Sequence, residues 1–240
     1  PGENAWDVGE RLLAPALWKM GIDRIDYLVL THPHPDHIQG LKYVADNFKI
    51  GEFWEGGIYP ECEEYQKLMG ILNRRRIPIR RINAASAPIE IGGTRIEPLA
   101  PFVRDIKTAP ADFYEMNDES LVFRLKEGEF SVLLTGDIGS DIEEQLVAHP
   151  ELLQCTILKV PHHGSRHSSS LAFLKTASPR IAVVSAGYGN SFHLPAQETI
   201  DTLNSLGIRL YRTDLDGTIQ AICDGGAGNA VTIRTEGHFR

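Results

Sequence analysis

The sequence predicts an α/β (α+β) chain in which mixed β-sheets carry helices packed on their outside. Two observations predict it. Short runs rich in Val, Ile and Leu alternate with helical stretches, as in Thr156–Val160, Ser169–Ala177 and Arg180–Val184; this is the pattern of strands joined through helices. Other runs meet through tight turns. Lys126-Glu127-Gly128-Glu129 separates two of them and predicts a hairpin, so antiparallel pairing accompanies the parallel pairing.

The elements follow in order. Glu10–Met20 predicts a short amphipathic helix, because Leu12, Leu13, Leu17 and Trp18 fall near helical spacing. Ile25–Leu30 is a β-rich run ending on Thr31, and Ile38–Asn47 is helical again. Strand-like runs recur at Phe53-Trp54, Ile77–Ile82, Thr94–Leu99, Leu121–Leu125 and Phe130–Leu134. Thr156–Val160, Arg180–Val184, Ile208–Tyr211, Thr218–Ile222 and Ala230–Ile233 continue the series. Helices are expected at Glu61–Arg75, Ser140–His149, Ser169–Ala177 and Pro195–Leu206. The last opens with proline, whose fixed φ suits a first helical turn. Pro110–Asn117 is the loosest stretch, yet Phe113, Tyr114 and Met116 make it a poor linker. One domain over residues 1–240 is expected, without repeats or low-complexity tracts.

Composition agrees. A chain of 240 residues that is 42% hydrophobic can bury one large core. Apolar stretches such as Ile181-Ala182-Val183-Val184 are too short to cross a bilayer, and no basic leader with an apolar core opens the chain, so a soluble domain is expected. Cys62, Cys155 and Cys223 are too few and scattered for a disulfide framework or a zinc ribbon. With 24 Lys and Arg against 32 Asp and Glu, the net charge of −8 does not advertise a nucleic-acid binder. Bound metal ions can nevertheless supply positive charge where a phosphate must sit.

The strongest signal is Thr31-His32-Pro33-His34-Pro35-Asp36-His37, directly after an apolar strand and before a helix. Alternate residues of an extended segment point the same way, so His32 and His34 can hold one ion together. The turn then aims Asp36 and His37 at a neighbouring position. Imidazoles with a carboxylate suit Zn, Mn, Fe or Ni better than Mg or Ca.

These residues resemble the HxHxDH signature of the metallo-β-lactamase superfamily. Leu133-Leu134-Thr135-Gly136-Asp137 resembles its later strand ending in Gly-Asp, which implies that Asp137 bridges both metals. Leu158-Lys159-Val160-Pro161-His162-His163-Gly164-Ser165 again sets histidines past a strand. The family's further metal-binding His would be His163, with His162 a competitor. Where the family has one more His before the Gly-Asp strand, this chain has Asn117, in Met116-Asn117-Asp118-Glu119-Ser120. An amide oxygen is a weaker and harder ligand than imidazole, which shifts preference toward an ion such as Mn.

Within the superfamily the chain resembles the C-terminal hydrolase-like domain of the ComEC-type DNA-uptake proteins. The likeness continues through Asn190-Ser191-Phe192-His193-Leu194-Pro195 and Tyr211-Arg212-Thr213-Asp214-Leu215-Asp216-Gly217. Leu194 intervenes where relatives run His-Pro. The resemblance implies an αββα sandwich of two mixed sheets with outer helices. It also implies an opening strand pair that this chain lacks, since it starts near Asp7-Val8-Gly9, with Pro1–Asn4 as loop. It further implies that the chain is a piece of a larger membrane protein: a soluble, extracytoplasmic domain whose channel part lies elsewhere in the same polypeptide.

The implied chemistry is phosphodiester hydrolysis by one or two divalent transition-metal ions, Mn2+ or Zn2+, acting on DNA, with one strand degraded during uptake. His32, His34 and Asp137 with Asn117 would hold the first ion, and Asp36, His37, His163 and Asp137 the second. Asp36, Asp137 and His193 are the catalytic candidates, His193 touching the scissile phosphate or protonating the leaving oxygen. Ser165, Arg166 and His167, with Asn190, are candidates to hold substrate; Ser165 to Ser168 could equally be a helix cap. Arg74-Arg75-Arg76-Ile77-Pro78-Ile79-Arg80-Arg81 could track a DNA backbone, or could be a helix end favoured by its dipole. Two other readings stay open: an esterase of choline-phosphate type, and a degenerate DNA-binding module of the uptake channel.

Overall fold

The computed structural model describes residues 7–59, 61–103, 115–223 and 231–237. The expected loop Pro1–Asn4, Phe113 and Tyr114 of the loose stretch, and Ala230 lie outside them. The chain groups into two compact units, Pro1–Asn83 with Pro101–Leu121, and Ala84–Ala100 with Val122–Arg240.

The first unit is built on a parallel sheet in the order β1-β2-β3, comprising β1 (Arg24–Leu30), β2 (Lys49–Glu55) and β3 (Ile79–Arg81). A wide helical turn, Gly9–Leu13, runs straight into α1 (Ala14–Lys19), so the expected first helix is present with a loosened start. Between β1 and β2 lies α2 (Pro35–Asn47), which buries Ile38, Val44 and Ala45. It starts earlier than Ile38 because Pro35 occupies its first turn, where a missing N–H costs nothing. Asp36 and His37 therefore project from a helix, not from the expected turn. Gly40 of α2 lies against Leu13: a Cβ there would stand 2.5 Å from Leu13 Cδ1, so that side chain would have to shift.

Between β2 and β3 runs α3 (Glu63–Arg74), with Glu63 and Glu64 in its first turn and Arg74 in its last, as the helix dipole favours. Tyr65, Leu68 and Leu72 face the core at helical spacing. The arginine run is largely spent on the unit itself. Arg74 Nη2 donates to Asp46 Oδ1 at 2.8 Å and Arg75 Nη1 to the Ala45 carbonyl at 2.8 Å. Arg80 lies over the Trp54 ring and Arg81 pairs with buried Glu55. The unit's last element is the short α4 (Glu115–Asp118).

The second unit holds a seven-stranded sheet in the order β10-β9-β8-β7-β6-β5-β4. Its strands are β4 (Ile89–Ile91), β5 (Thr94–Ala100), β6 (Val122–Glu127), β7 (Phe130–Leu134), β8 (Ile157–Lys159), β9 (Ile181–Val184) and β10 (Arg209–Arg212). From β4 to β7 the pairing is antiparallel, and from β7 to β10 it is parallel. The expected hairpin joins β6 to β7, turning at Gly128 with φ +57°, a conformation that favours glycine. Its helices are α5 (Ser140–Val147), α6 (Pro150–Leu153), α7 (Leu171–Ala177), α8 (Gln197–Ser205) and α9 (Thr213–Asp216). An antiparallel pair, β11 (Thr218–Cys223) with β12 (Val231–Glu236), follows. Among the described residues no helix is long and apolar enough to cross a membrane.

Candidate metal centre

In each unit the candidate residues leave the carboxyl ends of parallel strands, where open α/β sheets place their ligand sites. In the first unit β1 ends in an apolar run and delivers Thr31, His32 and His34 before α2 begins. The ring centroids of His32 and His34 are 4.6 Å apart, and those of His32 and His37 are 4.1 Å apart. Three imidazoles thus gather, two of them (His32 and His34) buried. Asp36 stays more exposed, with its Oδ2 3.7 Å from His37 Nε2.

What orients these rings is a pair of hydroxyls. Thr31 Oγ1 lies 3.1 Å from His32 Nδ1 and 3.2 Å from His37 Nδ1, and Ser120 Oγ lies 3.2 Å from His32 Nδ1. An imidazole that donates from Nδ1 keeps its Nε2 lone pair for a metal. Ser120 reaches His32 because the Leu121 N–H donates to the Thr31 carbonyl at 3.1 Å, which ties the segment after α4 to the end of β1. On α4, Asn117 is buried, and its Oδ1 has no hydrogen-bond partner among the described residues. A buried acceptor left so costs about 1–3 kcal/mol, which a bound cation would offset.

In the second unit β7 ends at Leu134 and the chain turns at Gly136, φ +53°, to bury Asp137. Lys159, ending β8, donates from Nζ to the Gly136 carbonyl at 2.9 Å and stands 3.4 Å from Asp137 Oδ1. The other oxygen, Oδ2, is 3.2 Å from His163 Nε2, and His163 Nδ1 donates to the Ser185 carbonyl at 2.7 Å, just past β9. His163 therefore presents Nε2 beside Asp137. His162 anchors the turn by its backbone, its N–H donating to the Gly136 carbonyl at 3.3 Å. Both histidines adopt positive φ, +46° and +54°, strain of a kind that collects at functional sites.

Two expected substrate contacts have partners within their own loops. Ser165 is buried, and its Oγ accepts the His167 N–H at 3.3 Å, so it braces the turn. Asn190 spends its amide inside its own loop, donating to the Gly187 and Leu194 carbonyls and accepting the Leu194 N–H. Arg166 and His167 are exposed on the turn after His163, and His193 is exposed with φ +54°. Thr31, Ser120, Lys159 and the Ser185 carbonyl were not foreseen from the sequence. A Thr directly before His32 and a Lys closing an apolar strand were the signals available.

The donors of each unit suit divalent transition metals: imidazoles, two of them with Nδ1 engaged, and a buried amide oxygen in the first, and an imidazole with Nδ1 engaged beside a buried carboxylate in the second.

The family model of the Metallo-beta-lactamase superfamily matches residues 4–188. The chain belongs to this superfamily. It is 29% identical to ComE operon protein 3 of Bacillus subtilis over 91% of its length, and 32% identical to Competence protein ComA of Neisseria gonorrhoeae over 87%. It spans 27% of each of these relatives. Its fold is similar to that of a Parabacteroides distasonis protein proposed to be a metal-dependent hydrolase. The two are 17% identical with a TM-score of 0.51, over 81% of this chain and 78% of that one. This superfamily member is thus related to competence proteins, in a family whose members are generally metal-dependent hydrolases.

Proposed function

We propose that the chain is a metal-dependent phosphodiesterase that cuts DNA, working as one metallo-β-lactamase-like domain within a longer DNA-uptake protein. The observation that carries this reading is the ordering of the imidazoles: His32, His37 and His163 each have Nδ1 engaged, which keeps Nε2 for a metal. Similarity to competence proteins supports DNA as the substrate and a setting in a membrane DNA-uptake system; the extracytoplasmic side is part of this proposal.

The ligands would be His32, His34, Asp36, His37 and Asn117 of the first unit, and Asp137 and His163 of the second. The amide of Asn117 in a ligand position favours Mn2+ over Zn2+. Bound ions would supply the Lewis acidity that activates water and neutralises charge on a phosphodiester. The chain's own residues do the rest. Thr31 and Ser120 fix the histidine rings, and Lys159 holds the Asp137 carboxylate in register. Arg166 offers positive charge to a phosphate oxygen. His193, at the surface, is the group to pass a proton to the leaving oxygen.

Substrate class is tested by comparing initial rates on a single-stranded oligonucleotide and on a phosphocholine ester, using Mn2+- or Zn2+-loaded protein. Faster turnover of the oligonucleotide is expected. Turnover of the ester alone would move the assignment to a choline-phosphate esterase, and turnover of neither, with no metal bound, to a non-catalytic module.

A further inference from the structure

We propose that Tyr188 and Phe192 form a stacking platform for the bases of single-stranded DNA, held on a braced loop beside the His163 turn. This inference rests on the phosphodiesterase reading and names how its substrate is gripped.

Tyr188 is 72% exposed and Phe192 81%, the two most exposed large apolar side chains among the described residues. Single exposed apolar residues are ordinary. Here two aromatic rings stand four positions apart on one loop, on either side of Asn190 and next to His193.

The loop is not slack. It leaves β9 at Ser185, whose carbonyl takes the His163 Nδ1–H at 2.7 Å, and returns where the Ala196 N–H donates to the Gly164 carbonyl at 2.9 Å. Both ends are thus tied to the turn that carries His163. At its base Thr213 Oγ1 accepts the Ala186 N–H and donates to the Ala186 carbonyl, both at 2.8 Å. Inside, the Asn190 amide donates to the Gly187 and Leu194 carbonyls at 2.9 and 2.8 Å and accepts the Leu194 N–H at 3.0 Å. The His193 N–H donates to the Asn190 carbonyl at 3.1 Å. A polar network this complete fixes the backbone that carries the two exposed rings. The order of that backbone is settled before any ligand arrives, which lowers the entropic cost of binding.

A strand of DNA suits such a surface. Its bases offer π-faces of any sequence, and stacking gives affinity without sequence choice. A chain with a net charge of −8 gains from holding DNA through its bases, not its backbone alone. A quaternary ammonium is the other ligand aromatic rings attract, but such cages enclose the cation, whereas both rings here are largely exposed.

The test uses metal-free protein in EDTA at fixed salt, with fluorescein-labelled oligothymidylate and an abasic oligomer of equal length, read by anisotropy. Wild type is expected to bind oligothymidylate at least about tenfold more tightly than the abasic strand. The Tyr188→Leu/Phe192→Leu double variant should lose that preference, and Tyr188→Trp/Phe192→Trp should keep it. Thermal melts confirm that each variant folds. Equal binding of the two strands by wild type, no binding of either, or a preference that survives in the Leu variant overturns the proposal. Displacement of neither strand but saturable binding of phosphocholine assigns the rings to a cation instead. A parallel cleavage assay keeps the two claims apart. Cutting without base preference leaves the nuclease reading intact and sinks this one, and base preference without cutting does the reverse.

Discussion

Thr31 Oγ1 stands 3.2 Å from Nδ1 of His37, while its other close ring nitrogen, Nδ1 of His32, is at 3.1 Å. One hydroxyl therefore sets the orientation of two imidazoles that leave the strand and the helix on either side of it. Partners of this kind fix the tautomer and the ring plane of a ligand. Replacing Thr31→Val removes the hydroxyl and keeps the shape. Metal affinity should fall by about 10–100-fold, measured by competition with a chelating dye, while the metal-free melting temperature changes little. Unchanged affinity would show that the ring positions need no such partner.

The Asp137 carboxylate is nearly inaccessible and lies between Lys159 and His163. Lys159→Met leaves a buried charge short of its cation, at a cost of about 3 kcal/mol to the metal-free protein. A divalent ion would restore that missing charge. Thermal melts should show the variant well below wild type without metal, and a larger rise on adding Mn2+ or Zn2+ than wild type shows. A variant that melts like wild type without metal would mean that the amine contributes no net stabilisation.

Gly164 has φ +79°, and a Cβ there would come within 2.6 Å of Pro195 Cβ. Gly164→Ala meets both backbone strain and a clash with a rigid ring, so a loss of at least about 1–2 kcal/mol is expected. Because this residue joins the His163 turn to the Tyr188–Phe192 loop, metal affinity and oligonucleotide binding should both weaken. Retention of both with a wild-type melt would show that the loop and the turn are not mechanically joined.

Acid stability has an identifiable source in the second unit. Burial pushes the Glu97 carboxyl up, but Arg124 Nε at 2.7 Å and Arg95 Nε at 3.1 Å outweigh it and hold it below the usual carboxylate range. Its folded value thus lies below its unfolded one, near 4.3. The stabilisation is complete above about pH 4.3 and is lost as pH falls through the folded value. Glu97→Gln should cost about 2 kcal/mol at pH 7 and almost nothing at the acid end. Denaturant titrations across pH 2–7 measure this; a constant difference at every pH would contradict it.

Periodicity marked the long elements well. The apolar face of α3, its acidic start and basic end, and the β6–β7 hairpin turning at Gly128 all follow from local rules. Residues Ile89–Ile91 escaped notice as a strand because three residues between Pro88 and Gly92 are too few to establish an alternating pattern, and antiparallel pairing to β5 is what makes them one. The ligand motifs were legible because they are contiguous. Ser120 was not, since its contact with His32 spans 88 positions and exists only once the chain after α4 is tied to Thr31. The bracing hydrogen bonds of Asn190 and Ser165 were not legible either, because a polar side chain in a loop carries no sign of whether it faces outward or braces its own turn.

The central claim is that this chain holds divalent metal through its histidine and aspartate loops and uses it to cut DNA. The most direct measurement strips the protein of metal, restores Mn2+ or Zn2+, and follows end-labelled single-stranded DNA beside an Asp137→Ala control. Cutting that returns with metal and is absent in the variant is the predicted result. Uncut DNA after metal is bound in stoichiometric amount, or cutting that the variant retains, would contradict it.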